Sequence, residues 1–246
     1  MADKDDRFEK LFQGETGSVL GAFKEAEPVQ VEGKVKEKLI RTKEAWAKAG
    51  RLLTGEAPST PAQRRLPPGQ EITKDWPVLD LGLKPNVPKD QWAFTVAGLV
   101  ENPIRWDWDA FMAQPQTEIV TDIHCVTQWT LYDNRWKGVP AKHFLSVVRP
   151  KPNARFLVFH SHDSYTTNVP LRHFDADDAL LAHTWNGEPL AREHGGPVRI
   201  VIPKLYFWKS AKWVRHVAFL EKDAPGYWET RGYHNTGDPW KEERYG

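Results

Sequence analysis

The chain has one cysteine, Cys125, among its 246 residues, and that scarcity removes several classes at once. No intramolecular disulfide can form, so a secreted scaffold held by disulfide staples is excluded, as is a zinc knuckle built on paired cysteines. Charge of one sign is equally lacking: 34 lysines and arginines stand against 33 acidic residues, a net charge of +1. Such a balance gives no broad field to attract nucleic acid or an anionic membrane, so any anion must be bound locally. No run approaches the roughly 20 apolar residues that a membrane helix needs. The opening MADKDDRFEKLFQ lacks a basic segment followed by an apolar one, and no twin-arginine pair precedes a hydrophobic stretch, so a cytoplasmic location is expected. Nor is there a glycine-rich phosphate loop of Walker or dinucleotide type, a strand and helix alternation at βαβ spacing, or a repeat at solenoid periods. A nicotinamide or nucleotide enzyme is thereby disfavoured.

What is abundant is indole. There are 12 tryptophans, all but Trp46 from Trp76 onward, and 19 prolines. Core packing is the commoner reason for such residues; the alternative is a pocket walled with flat surfaces for a planar ligand. The length suffices for a substantial core, and one domain preceded by an extension is expected. Residues 1 to about 27 are polar and charged and carry no functional signal. Beyond Pro28, the residues Val31, Val35, Leu39, Trp46 and Leu53 fall near one helical stripe, with Pro28 suited to a first turn and Gly55 to a stop. This helix reads first as packing on its own domain or a sister subunit, and second as docking a partner or a membrane surface. The segment APSTPAQRRLPPGQ, 57–70, reads as a linker or extended wrap, so residues 1–62 are taken as the extension and 63–246 as the domain.

Within the domain, strand-like runs at Trp92 to Val100, Glu118 to His124, Arg155 to His160, Val198 to Ile202 and Lys212 to Leu220 are rich in β-branched and aromatic residues. Short helices are expected at Trp108 to Ala113, at Ala141 to Val148 after Pro140, and at Ala176 to Ala182 with Asp175 as N-cap. An α+β mixed-sheet fold follows.

Two segments concentrate chemistry. Cys125 stands in TDIHCVTQW at a strand end, where a thiolate can face a pocket and ligate a metal. By itself it reads first as an inert buried thiol, the common fate of free cysteine. The second segment, HGGPVRIVIPKLYFWKSAKWV, opens with two glycines that allow close backbone approach to a ligand, then brings Arg199, Lys209, Ser210 and Lys212 together. These make a phosphate cradle or a solvated charged turn, and spacing alone does not choose. His160, His162 and Asp163 lack a third partner at metal-site spacing, and Ser161 lies outside any G-x-S-x-G elbow, so a second metal and a serine hydrolase are both weak readings.

Taken together, the motifs resemble the sulfite oxidase superfamily. Cys125-Val126 followed by Trp129-Thr130 resembles the C-V-x-x-W-[ST] element around the molybdenum-ligating cysteine of the bacterial sulfoxide reductase catalytic subunit. His194-Gly-Gly-Pro-Val-Arg199 and Lys209-Ser-Ala-Lys212-Trp are similar to the H-G-x-P-x-R and S-V-K-W elements of sulfite oxidases that bind the cofactor's phosphate and pterin, in the same order across roughly 64 to 240. The strings DNRW, YTTN, HGGP, LYFWKSAKW and GYHNTGDPW resemble a group of short bacterial sulfite oxidase-like proteins. The resemblance implies a molybdopterin-binding fold with an N-terminal helical extension, holding molybdopterin with molybdenum. It implies Cys125 as the metal ligand, and His194, Arg199, Ser210, Ala211 and Lys212 around the cofactor, with Lys209 beside them. Ser161 falls where a cofactor-binding threonine stands, and Thr73-Lys74-Asp75-Trp76 where a T-R-N-H element lies against pterin and substrate. Tyr233 follows Trp228 at the spacing of an active-site tyrosine.

The implied function is a molybdenum oxidoreductase performing two-electron oxygen-atom transfer on a small sulfite-, sulfoxide- or N-oxide-like molecule. Cys125, Tyr233, Lys74 and Arg135 are the expected catalytic set, the last three forming a polar mouth; Arg135 is alternatively a turn organiser. The sequence departs from the pattern in two places. Sulfite oxidases follow their cysteine with small residues and paired arginines, where this chain has Val-Thr-Gln-Trp-Thr, and Lys74 replaces the arginine of T-R-N-H. With no haem-binding domain in the sequence, an external electron partner is expected. A non-catalytic molybdopterin-binding or delivery module is the alternative function.

Overall fold

The computed structural model describes residues 30–50 and 65–246. In chain order these form β1 (Gln30–Gly33), α1 (Glu37–Gly50), β2 (Glu71–Ile72), β3 (Leu83–Asn86), β4 (Ala93–Gly98), β5 (Arg105–Asp107) and α2 (Trp108–Met112). There follow β6 (Thr117–His124), β7 (Trp129–Pro140), α3 (Ala141–Val148), β8 (Phe156–Ser161), β9 (Thr166–Pro170) and α4 (Leu171–Phe174). The last are β10 (Leu180–Trp185), β11 (Glu188–Pro189), β12 (Arg199–Val201) and β13 (Val214–Leu220).

Two mixed sheets carry the domain. One runs β5-β4-β13-β8-β9, with β4 and β13 parallel and the other neighbours antiparallel. Its central strand β13 is buried at Val214 and from His216 to Phe219, and this cover on both faces explains the apolar run from Val217 to Leu220. The second sheet is built on β7, which takes β6 and β10 antiparallel and β2 parallel, while β11 and β12 add to β10. A Cβ at Gly138 on β7 would stand 2.0 Å from the Leu181 carbonyl oxygen, so only glycine lets β10 approach.

Helices fill the gaps between sheets by burying one face. In α3, Ala141, Phe144, Leu145 and Val148 recur at i, i+3, i+4 and i+7, and all are buried. Phe144 reaches Phe94 and Trp106, each with ring centroids at 5.8 Å. The short α2 begins where the Asp107 side chain accepts from the Ala110 N–H at 2.9 Å.

The structure corrects the reading of Ala176 to Ala182 as a helix. The helical turn lies earlier, in α4, and Asp175 ends it by donating its N–H to Leu171. Leu180, Leu181 and Ala182 are instead strand residues, fully buried between β7 and β12, and pairing on both edges outweighs their helical propensity. The N-terminal helix also starts later than its apolar stripe suggests. Val31 belongs to β1, paired antiparallel with β3, and Val35 is exposed. Leu53, Gly55 and the boundary at 62/63 lie outside the described residues. Among the described residues no helix is long and apolar enough to cross a membrane.

Burial also fixes the charge state of several histidines. His160 on β8 and His216 on β13 are in register, with ring centroids 5.4 Å apart. Burial pushes His160 down to about 4 and His216 well below its ordinary value; His162 and His183 also fall to about 4. The unfolded chain takes up protons at these sites below roughly pH 6.5, whereas the native chain refuses them until near pH 4. Stability from neutral burial is therefore complete above that upper value and is lost as pH falls through the lower one. Urea midpoints followed from neutral pH to pH 4 should drop steeply, and a flat profile would refute this assignment.

Candidate active site

The strand end at Cys125 opens into a cleft of about 810 Å³, part of it open to solvent. Cys125 begins a tight turn in which its N–H donates to Trp129 at 2.8 Å and its carbonyl accepts from Gln128 at 3.1 Å. Gln70 also donates to that carbonyl, at 3.0 Å. The thiol is thus held at a fixed place on the cleft wall, 3.1 Å from the Thr127 hydroxyl. Burial pushes the thiol pKa up, while the Thr127 hydrogen bond and the positive charge of Lys43 oppose that shift. Among the described residues no group of three or more His, Cys, Asp or Glu side chains is placed to hold a metal ion. A metal at Cys125 must therefore bring most of its donors with it.

The other end of the cleft is cationic and flat. Trp76 stacks on His194 with centroids 3.7 Å apart and planes within 8°. Burial and the neighbouring Arg199 hold His194 down at about 4, so its imidazole is neutral near pH 7. Arg199, on β12, is only 2% exposed, and its guanidinium lies 4.1 Å from the Phe207 ring centroid. It donates to the carbonyls of His194, Ser210 and Ile200 at 2.8, 2.9 and 3.3 Å, yet among the described residues no carboxylate opposes the burial that draws its pKa down to about 9. Lys212 is lowered by burial and by Arg199 to about 7, although Asp80 and Asp163 act against that. Its ammonium bonds the Glu193 carbonyl at 2.8 Å and lies over the Trp213 ring. Ser161 adds a buried hydroxyl with no hydrogen-bond partner among the described residues. Two cations without an ion-pair partner among the described residues, an unused hydroxyl and a stacked aromatic face suit a planar ligand carrying a phosphate. The cofactor implied by the sequence has that form, so the donor set fits it.

Several expected residues stand elsewhere. Lys209 does not enter the cleft: its ammonium is fully buried, 2.6 Å from Glu229, and bonds the Asn168 and Asn235 carbonyls at 2.8 and 2.7 Å. That network satisfies the charge internally, and Glu229 also accepts from Trp208 at 2.9 Å. Arg135 is an exposed strand residue paired with Glu118 at 3.4 Å, and Lys74 and Asp75 are exposed in a turn closed by the Thr73 hydroxyl. None of these three lines the cleft. Ala211 is buried between Ser210 and Lys212, its carbonyl accepting from Ile200 at 2.8 Å. The glycine pair also has a different task. A Cβ on Gly195 would meet Lys212 and one on Gly196 the Leu190 carbonyl, so the glycines bring chain to chain rather than chain to ligand.

Tyr233 does line the cleft, stacked with Trp228 at 4.8 Å and edge-on to Trp208 at 5.1 Å, and burial pushes its phenol well above its ordinary value. Two wall residues were not assigned to this site from the sequence, where Asp163 was weighed only beside His160 and His162. Burial raises Asp163 to about 6. Lys43 reaches the cleft from α1, and its signal was available: it falls on the apolar stripe between Leu39 and Trp46, where an ammonium has no packing reason to be.

Comparison with known proteins bears on the family and the fold. The model of the oxidoreductase molybdopterin binding domain matches residues 82–228. An uncharacterized oxidoreductase, YuiH, of Bacillus subtilis (strain 168) is 44% identical over 182 residues, covering 74% of this chain and 92% of that protein. The protein-methionine-sulfoxide reductase catalytic subunit MsrP of Ralstonia nicotianae is 30% identical over 153 residues, 56% of this chain and 46% of that one. The sulfane dehydrogenase SoxCD of Paracoccus pantotrophus has the same fold, with a TM-score of 0.51 at 20% identity over 81% of this chain and 49% of that chain.

The different fates of the charged residues are measurable. Lys209→Met leaves Glu229 buried without its cation and should cost about 3–5 kcal/mol in urea denaturation. Lys74→Ala and Arg135→Ala should each stay within roughly 0.5 kcal/mol of wild type. Equal effects at the three positions would contradict the placement described.

Proposed function

The chain belongs to the oxidoreductase molybdopterin-binding family, whose cofactor is molybdopterin carrying molybdenum, and on that premise we propose that it catalyses two-electron oxygen-atom transfer on a small molecule. When bound, the cofactor supplies the two-electron redox chemistry, and the protein supplies binding, orientation and field. Cys125 is the thiolate ligand of this proposal, because it alone brings sulfur to the cleft. Arg199, Lys212 and Ser161 hold the phosphate, with Ser210 fixed beside them by accepting from the Ile202 N–H at 3.0 Å. The Trp76 and His194 stack provides the flat face against which a pterin lies. Tyr233 keeps its proton at neutral pH and so remains a hydrogen-bond donor at the Cys125 end.

The observation that carries the reading is the buried, carboxylate-free Arg199 in the same cleft as the chain's one thiol. A buried cation without an anion is costly, and an anionic ligand relieves that cost. The proposal includes an external electron partner and a substrate of the sulfite, sulfoxide or N-oxide kind. Sulfoxide reduction is what the name of the Ralstonia relative states of that protein.

Metal and pterin content provide the test. Wild type purified from a host that makes the cofactor should hold stoichiometric molybdenum and pterin. Cys125→Ala should keep its fold but lose molybdenum, and Arg199→Met should bind the pterin roughly 10- to 100-fold more weakly. Wild type free of both would overturn the proposal, and dye-linked turnover that persists in Cys125→Ala would remove the ligand role.

A further inference from the structure

The extension places a charge where the domain alone has none. Lys43 lies on the buried side of α1, 5% exposed, beside Ile40 at 3%. Its ammonium bonds the Asp80 backbone carbonyl at 2.5 Å, one acceptor for three donors. The Tyr233 hydroxyl donates to the Lys43 carbonyl at 3.4 Å, which ties this turn of the helix to the cleft wall. Burial draws Lys43 below its ordinary value while Asp80 and then Cys125 oppose that, Cys125 in turn feels the Lys43 charge, and Lys212 registers Lys43 last among its neighbours. The cleft's cations are thus divided: Arg199 and Lys212 act on His194, and Lys43 acts on Cys125 and is tied to Tyr233.

We propose that Lys43 is the substrate-binding cation of this site and that it selects a small oxyanion. The inference rests on the cofactor reading, since a phosphate at Arg199 and Lys212 leaves Lys43 as the cation free to meet substrate beside the metal position. Its surroundings favour an anion over a neutral oxide. Aromatic walls exclude water and strengthen a single charge, whereas a neutral oxygen gains only a hydrogen bond. The acid that faces it is Asp80, whose carboxylate accepts from Gly82 at 2.8 Å. The ammonium bonds the Asp80 backbone rather than its carboxylate.

The lone thiol offers a test that does not depend on turnover. In full-length cofactor-free protein, iodoacetate and iodoacetamide alkylate the same Cys125 thiolate, so the ratio of their rates cancels the thiol pKa and reports local charge. The Lys43→Gln and Lys43→Met variants should lower the iodoacetate preference by roughly fivefold, while Lys43→Arg retains it. In cofactor-loaded protein, sulfate followed by calorimetry should bind wild type and Lys43→Arg at least about tenfold more tightly than Lys43→Gln. An unchanged alkylation ratio in folded Lys43→Gln, or equal sulfate affinity in all variants, would overturn the assignment. Molybdenum and pterin measured in the same samples separate the two ideas. Wild type without cofactor defeats the cofactor reading, while the alkylation ratio still tests the charge at Cys125.

Discussion

Burying the Arg199 guanidinium without a carboxylate is expensive, and much of the surrounding chain is organised around that burden. Three backbone carbonyls, from His194, Ile200 and Ser210, accept its protons, and the Phe207 ring lies beneath it. To aim those carbonyls inward the chain needs the close approaches made possible by Gly195 and Gly196, and the pairing of β12 with β10. These bonds satisfy the donors but not the charge. The missing anion is the one requirement that the polypeptide leaves to a ligand, and it explains why the pocket persists instead of collapsing into core.

Lys209 and Lys212, three residues apart in one motif, show how context divides identical side chains. The 3₁₀ turn Phe207–Lys209 directs the first into a closed network with Glu229, Asn168 and Asn235. Through Glu229 that network also grips Trp208 and Thr167. The second points into the cleft and keeps its charge uncompensated enough for burial to lower its pKa. One lysine stabilises the wall, and the other faces what the wall encloses.

Much of this was legible in the sequence where local pattern and tertiary outcome coincide. The Trp108 and Ala141 helices announce themselves by an aspartate cap, a preceding proline and 3.6-residue spacing, and the apolar β13 by its composition. Cys125, His194, Arg199, Ser210 and Lys212 share one cleft because the motif order carries them there. Failures came where pairing decides. Leu180 to Ala182 have ordinary helical propensity but two strand partners, and the polar DNRWKG stretch of β7 gives no strand signal because its pairing, not its composition, makes it a strand. Lys74 and Arg135 looked chemical because they carry charge near motif positions, yet an exposed turn and an exposed strand face hold them outside. Lys43 showed itself only as a charge on an apolar stripe, and the 82 positions between it and the thiol gave no hint of which site that stripe would reach.

The indoles give the cleft one more property. Trp76, Trp129, Trp208 and Trp228 all line it, and Trp76 is stacked on an imidazole that stays neutral across the physiological range. Excited indoles respond to whatever lies within a few ångströms, and a pterin absorbs at the wavelengths they emit. The protein therefore carries a built-in optical gauge of its own occupancy. Filling and emptying of the cleft can be followed in real time by emission alone, without dye, label or substrate.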